Sequence, residues 1–380
     1  MGNVRVLDFS TMMSGPLGTR LYVDLGADVV KVEAPPGGDH NRRRTPILGG
    51  VSRYFAQLNA GKRSIVLNLK DAADLATARE LAAAADVLVE NNRPGVMERI
   101  GLGYAELSAA NPGLVYCAIS GYGQTGPSAL NAAYAPNIHA SSGYDLANLG
   151  YQVGQDTPAS TAIFLADVVG ALYACVAVEA ALLRRTRTGC GEYIDVSMFD
   201  GMLALMVYEM QVAQLAEPAI RSIYRPMPTT DGFVSVAPVN VKQVTALLPV
   251  IGREDWLQDP RWLDTEQREL HWDELMAAVA AWTARRDTAE CLKLLAEVGV
   301  AAAPYRTPAE ALADPQVRQR GVLHPRRDAG GEHYLFNPPF QFADGSVHVR
   351  GDAPGLGADR TAVLRDWLGG APVDDQPERD

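Results

Sequence analysis

The stretch VRVLDFSTMMSGPLGTRLYVDLGADVVKVE, Val4–Glu33, decides the fold class of this 380-residue chain. A β-branched apolar run, Val4–Phe9, gives way at Gly15-Pro16 to a helical stretch reaching Leu25, and a second apolar run follows at Asp28–Val32. Strand, helix and strand in that order form a βαβ unit, which places the two strands parallel. The alternation recurs, with strands expected at Ser64–Leu69, Asp86–Glu90, Val115–Ser120 and Tyr193–Val196 and a helix at Ala72–Ala84. The pattern predicts an α/β domain with a mainly parallel sheet. Such sheets bind ligands beyond the carboxyl ends of their strands, so Ser10–Ser14, Glu33–Asp39, Asn91–Gly95 and Gly121–Pro127 are the loops expected to carry function.

Tryptophan usage marks a second unit. Residues 1–255 hold none, whereas Trp256, Trp262, Trp272 and Trp282 fall within 27 residues. Four domain segments are expected: 1–200 as the large α/β domain, 201–225 as a linker, 226–325 as a smaller α+β domain, and 326–380 returning to the large one. In the smaller domain Gly232–Ala237 and Ala301–Tyr305 read as extended and Thr288–Glu297 as helical. Asp359–Leu368 reads as a last helix and Val373–Asp380 as a frayed tail.

The net charge of −11 opposes general binding to nucleic acid or anionic lipid. The longest uninterrupted apolar runs fall short of a membrane span, and Met1–Ser10 lacks a signal-peptide pattern. No membrane and no nucleic-acid partner are expected, and the location expected is the cytoplasm. Cys117, Cys175, Cys190 and Cys291 are dispersed, which predicts buried free thiols; the six histidines form no ligand spacing, so no metal is assigned.

Three features bear on chemistry. Gly121–Gly126, GYGQTG, matches GxGxxG after a strand. Pro127 follows at once, however, and no second strand ends in an acidic residue at the right distance, so a nicotinamide site is not expected. The loop reads instead as backbone N–H groups offered to another ligand. Ser197 sits in DVSMF, outside the GxSxG frame of a serine hydrolase. Asp167 precedes the apolar run Val168–Leu183, which ends in Arg184-Arg185-Thr186-Arg187 and Gly189. It reads either as an N-cap or as a carboxylate kept ionised by the helix start and free to attack an acyl carbon. Finally, His40–Lys70 contains seven Lys and Arg and no Asp or Glu. It reads either as a surface or subunit contact or as a site for a phosphate-rich ligand.

Taken together, LDFSTMMSGP (Leu7–Pro16), NAGKRSIVLNLK (Asn59–Lys70), DVLVENNRPGVMERIGLGY (Asp86–Tyr104), NPGLVYCAISGYGQTGP (Asn111–Pro127), Asp167 and TGCGEYIDVSMFDG (Thr188–Gly201) resemble family III coenzyme A transferases, the CaiB/BaiF group that includes α-methylacyl-CoA racemases. The resemblance implies a Rossmann-like large domain, a smaller α+β domain and an interlocked homodimer. It implies acyl-CoA metabolism, with an acyl-CoA donor, a carboxylic acid acceptor and coenzyme A as substrate and covalent intermediate, without metal, nicotinamide or flavin.

Carried over by motif, Asp167 matches the nucleophile, and Tyr134 matches a tyrosine beside it. Lys62 and Arg99 match phosphate contacts, Asn91 and Asn92 match residues at the adenosine end, and Met198 matches a pocket-lining residue. The glycine loop containing Gly121 and Gly123 would shape the acyl site. Met13 replaces the glutamine of oxalate-handling members, and their glycine lid has no counterpart in Ala219–Asp231. The resemblance therefore implies a bulkier or less polar acyl group than formyl or oxalyl. A racemase is the first alternative, but its histidine and glutamate positions read Tyr134 and Asn240, poor groups for 1,1-proton transfer; His139 lies five residues further on and reads as packed. A catalytically silent CoA-binding protein is the second.

Overall fold

The computed structural model describes residues 1–216, 223–328 and 330–369. The expected tail Val373–Asp380 and part of the expected linker and lid segment, 217–222, lie outside the described residues.

The larger unit, Met1–Val207 with Arg318–Asp380, is built on a six-stranded sheet. Its strands are β1 (Arg5–Asp8), β2 (Asp28–Glu33), β3 (Arg63–Val66), β4 (Val87–Glu90), β5 (Val115–Ser120) and β6 (Glu192–Ser197). They lie in the order β3-β2-β1-β4-β5-β6, and every pairing is parallel. That is the doubly wound order, and it reverses between β1 and β4, where a crevice opens beyond the carboxyl ends.

Both faces of the sheet are covered, which explains the near-continuous apolar runs that encode it. On one face Val6, Val29, Val87, Cys117 and Ile119 pack with residues of α1 (Ser14–Asp24) and the long Leu165–Thr188 helix. On the other, Leu7, Val30, Leu88 and Tyr116 meet α2 (Ala72–Ala84) and Val363 and Trp367 of the final helix Arg360–Leu368. Neighbouring residues such as Val6 and Leu7 go to opposite cores because a strand alternates its side chains.

Two more helices matter for the site: α3 (Ala135–Ser141) and α4 (Leu165–Thr188). α4 is long and apolar enough by length and composition to cross a membrane, unlike the shorter runs read from sequence, because the tally of uninterrupted apolar residues stops at the charged Asp167 and Glu179 inside it. Its buried stripe, including Ala166, Val169, Ala174, Cys175 and Val178, belongs to the core described above.

The second compact unit is Tyr208–Val317. Three antiparallel strands, β7 (Met227–Pro228), β8 (Phe233–Ala237) and β9 (Ala301–Pro304), form a small sheet in the order β9-β8-β7. Trp256, Trp262, Trp272 and Trp282 are all buried in its core, the first two stacked at 4.3 Å. The segment 201–225 is not an open linker throughout: Met198–Leu205 and Val207–Val212 are helices, formed from apolar residues that the sequence reading left without a period. Cys190 also departs from expectation. It is exposed just past the α4 C-terminus, while the other three cysteines are buried.

Candidate active site

The loop after β1 is fastened at nearly every residue. Asp8, fully buried, accepts from the backbone N–H (2.9 Å) and hydroxyl of Ser10, while Lys31 Nζ donates to the Ser10 carbonyl at 2.7 Å. Across the crevice, Asn91 accepts from the Thr11 N–H at 2.9 Å and donates to the Thr11 carbonyl at 2.8 Å. Asn41 donates to the Met12 carbonyl, and the Tyr54 hydroxyl reaches Met13 Sδ at 3.2 Å. These ties hold Met12 at φ +65°, a left-handed conformation that costs a non-glycine residue of order 1–3 kcal/mol. Gly15 is required by the same fold-back, since a Cβ there would lie 2.1 Å from Ser10 Cβ.

The product of this bracing is the position of Ser14. Ser14 is close enough to the Asp167 carboxylate to lower its pKa, and its Oγ accepts from Asn91 Nδ2 at 3.3 Å. Asp167 lies in the first turn of α4 rather than at its N-cap, which is Phe164. The helix starts three residues earlier than the apolar run suggested because His139 of α3, itself buried, accepts the Ala166 N–H on Nε2 at 3.0 Å. Asp167 is thereby relieved of capping. Burial pushes its pKa from 3.8 up to about 6, against the opposing pull of Ser14, leaving a carboxylate ionised at neutral pH and more basic than usual.

Two cavities meet at Asp167. One, of about 240 Å³, is walled mainly by Met12, Met13, Tyr54, Pro136 and Phe164 and also reaches Arg44. The other, of about 280 Å³, is more polar and includes Ser14, His40, Asn92, Arg93, Gly121 and Met198. Tyr134 and Met12 border both. The crevice thus gives one carboxylate an apolar neighbour on one side and a polar approach on the other.

The sequence-derived positions sort unevenly. Asp167, Tyr134, Met13, Met198, Asn91, Asn92 and Gly121 converge on these cavities. Lys62 does not: its ammonium is buried, donating to Asp8 (3.0 Å), the Pro16 carbonyl (3.0 Å) and Asn59 (2.8 Å), so it is spent inside the fold and has no free hydrogen for a phosphate. With its neighbours' charges it overcomes the burial that would raise the Asp8 pKa and brings it to about 2. Asn91 lines the polar cavity, but its amide is taken up by Thr11 and Ser14, a brace rather than a free adenosine contact. Arg99 is exposed at the end of the turn Val96–Arg99 and lines neither cavity. Gly123 turns a loop pinned by the Gln124 N–H on Asp195, 2.9 Å, and also lines neither. Ser14, Arg44, Tyr54, His40 and Arg93 were not singled out as site residues from sequence; only the quoted motifs LDFSTMMSGP and NNRPG and the basic run held a hint of them.

The frame is thus a Rossmann-like, doubly wound parallel sheet with a largely buried carboxylate of raised pKa beside its switch point. The chain belongs to CoA-transferase family III, whose sequence pattern matches residues 1–360, and it is a CoA-transferase. It is 36% identical over 371 residues to the acetyl-CoA:oxalate CoA-transferase of Acetobacter aceti, covering 95% of this chain and 94% of that one. It is 31% identical to the succinate–glutarate CoA-transferase of Agrobacterium fabrum, with 96% and 94% covered. A crystal structure of a CaiB/BaiF family protein from Brucella suis superposes with a TM-score of 0.81 at 30% identity, over 96% of this chain and 98% of that one.

Proposed function

We propose that the protein moves CoA from an acyl-CoA thioester to a free carboxylic acid through covalent intermediates on Asp167. One observation carries the reading: Asp167 is the carboxylate that lines both cavities, and burial makes it more basic than usual. An oxygen of Asp167 attacks the thioester carbonyl, and the C–S bond breaks to give an aspartyl acyl anhydride and CoA thiolate. The thiolate attacks the aspartyl carbonyl, forming an aspartyl-CoA thioester and releasing the donor acid as its carboxylate. The acceptor carboxylate attacks that thioester, expelling thiolate and forming a second anhydride. Thiolate then takes the acceptor acyl group, and the Asp167 carboxylate is restored.

Each step exchanges one activated acyl bond for another, so no net proton or phosphoryl transfer is needed. The apolar cavity suits the acyl group, and the polar one suits the thiol end of CoA, with Asn92, His40 and Arg93 along it. The acceptors in the relatives' names, oxalate and glutarate, are carboxylic acids, as the second half of the cycle demands.

Racemisation is less well supported. The Asn240 side chain is occupied in accepting the Gln243 N–H at 3.0 Å as a helix N-cap, and His139 is occupied at the start of α4. A homodimer is part of the proposal, supported by the exposed apolar face of α4 at Leu172, Tyr173, Val176 and Leu183. A cytoplasmic location is supported by the four free thiols.

Incubation with an acyl-CoA and hydroxylamine tests the covalent step. Peptide mass spectrometry should find a hydroxamate on Asp167, and Asp167→Ala should lower CoA exchange by at least about 10³-fold. Undiminished exchange by Asp167→Ala would refute the mechanism.

A further inference from the structure

The basic run His40–Lys70 is largely consumed by the fold. Arg42 pairs with Glu33, Arg53 with Asp328, Lys62 with Asp8, and Arg63 with Asp28 and Asp366. Arg44 is used differently. Among the described residues it has no carboxylate partner; its guanidinium stands over the rings of Tyr54 (4.9 Å) and Phe164 (5.5 Å), both of which line the apolar cavity. Arg44 lines that cavity too, as does Asp167. A cation stacked on two aromatic faces is held in place without being neutralised, so its hydrogen-bonding edge stays available to an anion.

We infer that Arg44 recognises a second carboxylate on the acyl group or acceptor acid, making the preferred substrate a short dicarboxylic acid. This rests on the CoA-transfer reading for its chemistry and goes beyond it in assigning a residue to the recognition of the far end of the acid. One carboxyl of the substrate reacts at Asp167 while the other pairs with the planar guanidinium, and the methylenes between them lie along Met12, Met13 and Tyr54. Simple monocarboxylates can enter the same cavity but gain nothing from Arg44, which is exposed and stays hydrated without them, so selectivity comes from the added pair alone. The acyl group expected from the sequence, bulkier or less polar than formyl or oxalyl, would on this inference carry a charge at its far end: the walls are apolar, and the far contact is cationic. The walls give room for a spacer, and the cation fixes the distance at which the second carboxylate is read.

The test compares acids matched in carbon number. Wild-type protein and Arg44→Gln are given succinyl-CoA as donor and glutarate or valerate as acceptor, and the ratio of the two kcat/KM values is measured. The wild type should favour glutarate, and in Arg44→Gln that ratio should fall by roughly 10- to 100-fold, the loss expected for a charge-assisted hydrogen-bonded pair. Arg44→Lys, which keeps the charge but not the fork, should fall between. A wild type indifferent to the second carboxylate, or an Arg44→Gln variant with an unchanged ratio, overturns the inference. Calorimetric binding of glutarate and valerate to the wild type and Arg44→Gln provides a readout free of turnover. Selective glutarate binding that is lost in the variant, without any CoA transfer, would uphold Arg44 as the anchor while defeating the transferase mechanism. Equal binding of the two acids by the wild type would defeat the anchor itself.

Discussion

Replacing Asp167 by Asn should make the protein more stable at neutral pH while it stops transferring CoA. The folded protein holds this carboxylate with a pKa raised from 3.8 to about 6, chiefly by burial. At 1.36 kcal/mol for each tenfold change in proton affinity, the ionised group opposes folding by about 3 kcal/mol above pH 6, reduced to about 2 kcal/mol by the water that reaches this partly exposed side chain. The sign follows from proton uptake. Between pH 4 and 6 the folded state binds the Asp167 proton more tightly than the unfolded state, so the wild type loses stability as pH rises through that window. Asparagine mimics the protonated form and has no such loss.

Urea unfolding at pH 8 should therefore show Asp167→Asn stabler by about 2 kcal/mol, with the gap narrowing to near zero by pH 4. A variant less stable than the wild type at pH 8, or a gap that does not change with pH, would refute the claim that the site holds its nucleophile ionised against a burial cost. The catalytic gain is the counterpart: a carboxylate destabilised by burial is a better nucleophile toward a thioester than one in water.

Three further outcomes follow from the same geometry. The kcat/KM for CoA transfer should fall on the acid side with an apparent pKa near 6, as Asp167 is protonated, read from a pH–rate profile with a non-titrating acyl-CoA side chain. Lys62→Ala should cost about 3 kcal/mol in denaturant unfolding, because it takes the ion-pair partner from the fully buried Asp8 and leaves only Lys31 nearby and the Ser10 and Thr19 hydrogen bonds to offset its charge, whereas the exposed Arg99→Ala should change stability by no more than about 0.5 kcal/mol; equal and small effects would mean that Lys62 is not the internal brace described. His139→Ala should lose about 1–2 kcal/mol of stability by removing the acceptor for the Ala166 N–H, and kcat should fall with it while KM changes little, since the start of α4 carries Asp167.

Most of the sheet was legible in the chain because each strand is a short β-branched run buried on both faces, a pattern local to a few residues. β5 and α2 begin and end where the periodicity says they should. Asp167 was legible as chemistry only through the ordered motifs around it, because a carboxylate at the head of a long apolar helix reads just as well as an N-cap. What the sequence could not supply was the partner of each polar group. Lys62, in NAGKRS, has the same local setting whether it points to solvent or inward; only the packing of β1, β2 and the Asn59–Lys62 turn sends it to Asp8. Ser14 and Asn91 stand 77 positions apart and become neighbours because strand order reverses between β1 and β4.

Local periodicity thus determined which segments are strands and helices, and the ordered motifs determined which family they build, because both are written in residues close together along the chain. The tertiary structure alone decided which charges are spent and which remain free: in the run His40–Lys70 it neutralised Arg42, Arg53, Lys62 and Arg63 inside the fold and left Arg44 on two aromatic rings beside Asp167. Ion pairing depends on distances across the fold, and neighbouring residues in sequence do not set those distances.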